Sequence, residues 1–297
     1  MKKNRIAHIF LFGAALIYGA NYSIAKIVLD GNYISPMGLV FFRVLTALII
    51  FTVFHLIFVK EKIDKKDIPK IILVSLFGIV INQSFFIIGL KHTVPINAAL
   101  LLTVVPILVF VFSVILLKEK ISISKIIGVL IAFSGVLLII LNKGNLQFTY
   151  SNMKGDILVF LNSVSYALYL VMVKPLLKKY NPLTITKWIF FFGMIFIMPL
   201  GIKGALNAHW QLFDAKVWMA FVYVLVFTTL LAYLFNIIAL SRVNPSVVGV
   251  YVYLQPVLAT IVALIIGKDS ISALKIVSAV LIFAGVYLVS YTKPLSR

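Results

Sequence analysis

The chain has 297 residues, 63% of them hydrophobic and 12% charged, with a mean hydropathy of +1.13. That balance excludes a soluble globular domain, which needs far more charge to cover its surface. The net charge of +19 would point to nucleic acid if the basic residues gathered on a polar domain, but they punctuate apolar runs, so no nucleic-acid partner is expected. There is no cysteine, which rules out disulfides, thiolate metal sites and cysteine nucleophiles.

A bilayer core of about 30 Å needs roughly 20 apolar residues per helix. Ten such runs are predicted, at Ile6 to Leu29, Pro36 to Val59, Pro69 to Leu90, Pro95 to Leu117, Ile121 to Leu141, Gly155 to Leu176, Leu183 to Ile202, Val217 to Leu240, Pro245 to Ile266 and Ile271 to Tyr291. The first run is too long for the apolar core of a secretory signal and is read as a membrane helix. The links are short, and the polar stretches Asn142 to Lys154 and Lys203 to Lys216 read as surface loops. Eighteen of the twenty-seven basic residues fall on one side of this arrangement and eight on the other, with Arg43 inside a helix. Both termini are therefore expected in the cytoplasm, in a multi-pass protein of the cell (inner) membrane.

Shifted by 150 residues, Leu90 to Leu138 aligns with Leu240 to Leu288 without a gap. Pro95 meets Pro245, Pro106 meets Pro256, Lys118-Glu119 meets Lys268-Asp269, Lys125-Ile126 meets Lys275-Ile276, and Gly135-Val136 meets Gly285-Val286. At a slightly shorter offset Tyr18 and Lys26 meet Tyr166 and Lys174. Each half thus holds five helices, over 1–142 and 155–297, with a connecting loop at 143–154. Because five is odd, the second half enters the membrane from the opposite face. The predicted fold is an all-α membrane protein of ten transmembrane helices in two inverted five-helix repeats, a geometry that supports alternating access.

The chain resembles the drug/metabolite transporter superfamily, in its ten-helix EamA-type branch. The resemblance rests on Tyr18-Gly19-Ala20-Asn21 with Lys26, Pro36 with Arg43, Asn82-Gln83 with Gly89-Leu90, Pro106, Lys118-Glu119-Lys120-Ile121-Ser122, and Gly128 with Gly135-Val136. Ala239-Leu240, Pro256, Lys268-Asp269 and Gly285-Val286 repeat it more loosely, with Asp269 where the family usually has Glu and Ser278 where it often has Gly. It implies an inner-membrane carrier of small metabolites, often an exporter of amino acids or foreign compounds.

All eight acids are placed at helix ends or in loops, so no carboxylate is expected near the midplane, where proton or sodium relays usually need one. Arg43 lies about 10 Å into its helix and reads either as a clamp for a substrate carboxylate or as a structural cation capping carbonyls. His55 is turned away from it and is read as interfacial. Polar and aromatic stripes give the other candidate substrate-binding residues. They are Tyr18, Asn21 and Tyr22, then Asn82, Gln83 and Phe86, Asn97, and in the second half Asn162, Tyr166 and Tyr169, Trp188, Tyr233 and Asn236, Tyr251 and Gln255. For each, the alternative is a helix-to-helix hydrogen bond or simple packing. Tyr33, Tyr150, Tyr180, Trp210, Trp218 and Tyr291 read as interface belts. Pro106 and Pro256 read as hinges or static bends, and Glu119 and Asp269 as local helix-end anchors.

The expected function is a secondary transporter exporting a small metabolite, such as an amino acid or related amphipathic compound. No cofactor and no metal are expected, and the partners are the bilayer and a small-molecule substrate. The alternatives are a membrane-embedded enzyme on a lipid or isoprenoid, or a nontransporting membrane partner. The enzyme reading is disfavoured because His8, His55, His92 and His209 are scattered and share no catalytic spacing.

Overall fold

The computed structural model describes residues 2–120, 122–143, 149–265 and 272–291, and the regular elements in them are all helical. Ile121, Lys268-Asp269 and the Tyr291 side chain lie outside the described residues. Helix 1 is Lys2–Asp30, helix 2 Pro36–Phe58, helix 5 Ile123–Lys143, helix 6 Tyr150–Lys179, helix 7 Pro182–Leu206 and helix 10 Ala273–Tyr291. The remaining four are irregular. Helix 3 joins Ile68–Ser75 to Asn82–His92 through a π-helical stretch, Leu76–Ile81, and helix 8 joins Ala215–Val222 to Ala232–Arg242 through another, Tyr223–Leu231. Helix 4 is broken between Pro95–Leu102 and Val105–Leu117. Helix 9 passes from Pro245–Val250 through a 3-10 turn, Tyr251–Tyr253, into Leu254–Ile265.

Among the described residues nine helices are long and apolar enough to cross a bilayer, and helix 9 contributes a shorter apolar stretch, Pro245–Ile261. The chain is thus a ten-helix, multi-pass membrane protein. Proline at the first position starts helices 2, 4, 7 and 9, where its missing N–H costs nothing. Side chains cap others: Ser35 accepts from the Gly38 N–H (3.1 Å), and Asp214 from the Val217 N–H (2.8 Å). The connector expected over 143–154 is helical at both ends, because helix 5 continues through Lys143 and helix 6 begins at Tyr150.

The two repeats interleave. Helix 1 packs on helices 8 and 9 of the other repeat, and helix 6 packs in the same way on helices 3 and 4. Helices 2 and 7 pair with each other, as do helices 5 and 10. With lipid as apolar as the side chains, close backbone approach at small residues drives such pairing. A Cβ on Gly38 would lie 2.6 Å from the Gly204 carbonyl oxygen. In helices 5 and 10, a Cβ on Gly128 would lie 2.9 Å from the Gly285 oxygen and one on Gly135 2.8 Å from the Ser278 oxygen. These contacts exchange repeat-equivalent positions, the signature of a pseudo-two-fold axis between the helices. Outward, Ile9, Phe58, Ile115, Leu130 and Val280 present an exposed apolar surface suited to lipid.

The belt residues divide. Tyr150 is exposed, and Trp210 stacks on Trp218 (centroids 5.7 Å) within a cluster that includes Phe42, Phe213 and Phe221. Tyr33 joins its edge at Phe213. Tyr180 is buried instead, donating to Asp67 Oδ2 (2.6 Å) and accepting from the Asp64 N–H (3.1 Å), so it ties the start of helix 3 to the end of helix 6.

A Cβ at Gly285 would meet the Gly128 oxygen at 2.4 Å and the Ala132 Cβ at 2.6 Å. Gly285→Val is therefore expected to cost roughly 1–3 kcal/mol by overpacking. Thermal unfolding of purified protein in detergent should show a lowered midpoint, with lipid-facing Ser134→Ala as the unchanged control.

Candidate functional site

In lipid, an irregular helix survives only where the carbonyls it frees find other partners. The two π-helical stretches occupy equivalent places in the repeats, and so do the breaks in helices 4 and 9, each of which ends just before a proline, Pro106 or Pro256. The four irregularities border one cavity of about 80 Å³.

The cavity is lined by Tyr18, Asn21 and Tyr22 of helix 1, Arg43 of helix 2, and Asn82, Gln83 and Phe86 of helix 3. Leu102 and Val105 of helix 4, Asn162 and Tyr166 of helix 6, Tyr233 of helix 8, and Val252 and Gln255 of helix 9 complete it. Repeat mates share the wall: Tyr18 with Tyr166, Gln83 with Tyr233, Leu102 with Val252, and Val105 with Gln255. Arg43 and ten of the residues expected from the polar stripes are in this wall. Leu102, Val105 and Val252 were missed because apolar cavity residues look like lipid-facing ones. Their signal was available, since they flank the two matched prolines at the repeat offset.

The other candidates lie elsewhere. Tyr169 is buried behind the wall, stacked on Tyr166 (6.1 Å) and packed on Gly78, where no Cβ would fit. Asn236 and Tyr251 line a smaller neighbouring space with Tyr18, Tyr166 and Gln255, and the Tyr251 hydroxyl is 2.7 Å from His8 Nδ1. Asn97 and Trp188 do not line the cavity. Asn97 donates to both oxygens of Asp156 (3.2 Å), a helix-to-helix bond, and Trp188 stacks on Phe192 beneath the Lys187 ammonium. His55 is buried, its Nε2 3.1 Å from the Glu61 carbonyl oxygen, and forms no site with Arg43.

Hydrogen bonds pair the freed backbone. Ser165 donates to the Phe77 oxygen (2.6 Å), Tyr233 to the Gly78 oxygen (2.7 Å), and Asn162 Nδ2 to the Asn82 oxygen (2.8 Å). Tyr22 donates to Gln255 Oε1 (2.7 Å) across the cavity. Arg43 is 4% exposed, and its Nε donates to Thr229 Oγ1 (2.8 Å) in the π-helical part of helix 8. Thr229 in turn donates to the Val224 oxygen five residues back (2.9 Å), which also accepts from Thr228 Oγ1 (2.6 Å). Arg43 Nη1 and Asn21 Oδ1 are buried without a hydrogen-bond partner. Among the described residues, no Asp or Glu lines the cavity.

Above and below, each face of the bundle is tied in the same manner. Lys26 donates to the Leu90 and Thr93 oxygens (3.3 and 3.0 Å) at the end of helix 3, and its mate Lys174 donates to the Leu240 and Val243 oxygens (2.6 and 2.7 Å) at the end of helix 8. Cations at helix C-termini satisfy the last carbonyls and the dipole. Beside each lysine a carboxylate from the other repeat holds the following link. Asp156 accepts from Thr93 and Asn97, and Glu119 accepts from Asn244 (3.2 Å) and Ser246 (2.9 Å) as well as from Lys125. Glu119 thus joins the repeats, beyond its expected local anchoring. Asp156, nearly two turns inside helix 6 because that helix starts early, is buried.

The sequence model of the EamA-like transporter family matches the chain twice, over residues 5–141 and 153–291. The chain is 27% identical to a Bacillus subtilis (strain 168) protein named "Uncharacterized transporter YyaM", over 94% of this chain and 92% of that one. It is also 27% identical to "Protein WALLS ARE THIN 1" of Arabidopsis thaliana, over 79% of this chain and 71% of that one. A solved crystal structure covers 96% of the chain and is itself covered to 98%, with a TM-score of 0.77 at 18% identity, a likeness of fold. The chain belongs to the EamA-like transporter family, and is a membrane transporter.

Proposed function

We propose that the protein is a secondary transporter that exports a small amphipathic metabolite, such as an amino acid or a related compound, by alternating access. Its place is the cell (inner) membrane, with both termini cytoplasmic, as the distribution of basic residues favours. The observation that carries this reading is the position of the cavity. It lies between two interleaved repeats, is walled by equivalent residues of both, and has an equivalent lysine tie on either face, each with a carboxylate of the other repeat holding the following link. Two related packings of the same helices can then open one face while closing the other.

Counterflow of labelled solutes in proteoliposomes tests it. At least one amphipathic metabolite of amino-acid size should exchange across the membrane, and a broad panel with no exchange would sink the reading. Alanine replacements of Asn82, Gln83, Tyr166 and Gln255 should each raise the half-saturation concentration about 3- to 10-fold, the worth of one hydrogen bond, with normal membrane insertion. Unaltered kinetics in all four would remove the cavity from the transport path.

The ties give a separate expectation. Because the chain has no cysteine, Leu102→Cys places a single thiol in the cavity wall. Glu119→Ala in that background should speed labelling by an impermeant thiol reagent several-fold from the face that carries the chain termini, and Asp156→Ala from the opposite face. Labelling that rises from the same face in both variants would show that the ties do not gate access.

A further inference from the structure

Charge inside the cavity narrows the substrate further than its size does. Arg43 brings one permanent positive charge into the wall, and its guanidinium is held by a neutral hydroxyl, with Nη1 buried and unpartnered. The four ion pairs seen among the described residues are Lys26 with Asp30, Lys125 with Glu119, and Lys179 with Asp64 and Asp67, all away from Arg43. A buried charge without a counter-charge is costly in a low-dielectric interior. Of the possible ligands, a monoanion alone brings the loaded cavity to neutrality. A neutral solute or a zwitterion leaves it at plus one, and a zwitterion must also bury an ammonium beside a guanidinium with no carboxylate to receive it.

The rest of the wall describes the body of that anion. Tyr18, Tyr22, Phe86 and Tyr166 offer ring faces and edges, and Asn21 Oδ1 is an unpaired buried acceptor that takes a neutral O–H or N–H donor. We infer that the cavity binds an organic carboxylate that lacks an ammonium group, carrying an apolar or aromatic body and a neutral donor such as a hydroxyl, with its carboxylate seated on the Arg43 guanidinium. Guanidinium presents parallel N–H groups that match the two carboxylate oxygens, and Nη1 has no hydrogen-bond partner here. The inference rests on the carrier reading above and names its substrate class. It also supplies the driving force. A cycle that moves one negative charge outward is driven by an inside-negative membrane potential, with no coupled ion and so no need for a carboxylate in the cavity. At 100 mV the potential sustains an outward gradient of about 50-fold.

Three solutes of one shape and different charge test this directly: phenyllactate, an anion; phenylalanine, a zwitterion; and phenyllactamide, which is neutral. A second series on an aliphatic body, 2-hydroxyisocaproate, leucine and the hydroxyamide, guards against a wrong choice of ring. In counterflow with the full-length protein, the hydroxy acid should be moved at least 10-fold better than its partners in whichever series is carried. Efflux from preloaded vesicles should accelerate when valinomycin and a potassium gradient make the interior negative. Arg43→Gln should remove the preference, and Arg43→Lys should keep part of it. The wild-type comparison and the voltage response need no variant, so misfolding of Arg43→Gln cannot mask the answer. If phenylalanine, leucine or either amide is moved as well as the hydroxy acid, or if flux ignores voltage, the charge assignment is overturned and the carrier reading stands. If no member of either series or of the broader metabolite panel moves, both are overturned.

Discussion

A backbone carbonyl left unpaired in an apolar interior costs several kcal/mol, and this protein opens its cavity by breaking helices. The structure resolves the conflict across the repeat boundary. Carbonyls of Phe77, Gly78 and Asn82, in and beside the π-helical part of helix 3, are taken by Ser165 and Asn162 of helix 6 and Tyr233 of helix 8. All three donors belong to the second repeat and all three acceptors to the first. The bonds that make the irregular wall tolerable therefore also join the halves, and the cavity and the repeat interface are one structure.

The scaffold is close to symmetric while its polar chemistry is not. Tyr18 and Tyr166, Leu102 and Val252, and the two lysine caps occupy equivalent places. Aligning helices 2 and 7 on their starting prolines, however, sets Arg43 opposite Ile189, a buried apolar residue. Phe86 stands opposite Asn236, which lies outside the main wall. Under the proposed mechanism, symmetry supplies the two packings that alternating access requires, and its local failure at Arg43 gives the cavity a direction. A ligand with one charged end then has one preferred orientation in both packings.

Much of this was legible in the chain. Ten apolar runs, prolines at helix starts, and matched Pro, Lys and Gly positions at a fixed offset encode the helices and the repeat, because those residue types act locally and are rare in apolar runs. Most cavity residues were legible too, since a polar side chain at mid-depth has few other uses. What failed was partner choice. Asn97 and Asn82 are the same residue type on neighbouring helices, yet Asn97 binds Asp156 while Asn82 lines the cavity, and nothing local distinguishes them. The π-helical turns were also illegible, because Leu76–Ile81 and Tyr223–Leu231 read as ordinary apolar helix and are bent by distant hydrogen bonds. Asp156 was placed at a helix end on the correct helix, but its burial depends on the early start of helix 6 at Tyr150 and on the pairing with Thr93.

The position of Thr229 connects these features. Sequence patterning gives it no distinction in the run Phe227-Thr228-Thr229-Leu230, yet it joins the Val224 carbonyl of helix 8 to the guanidinium of helix 2. A line of one backbone carbonyl, one hydroxyl and one buried cation thus runs from a helix irregularity in the second repeat to the charge of the first. Movement of the repeats past each other must carry Arg43 along this line or break it. In the first case the charge travels with helix 8, and in the second the guanidinium loses a hydrogen bond that an acceptor on an incoming solute can replace. Either way, the state of the charged group is coupled to the packing of the two halves, which is the physical requirement for a bound solute to influence which face is open.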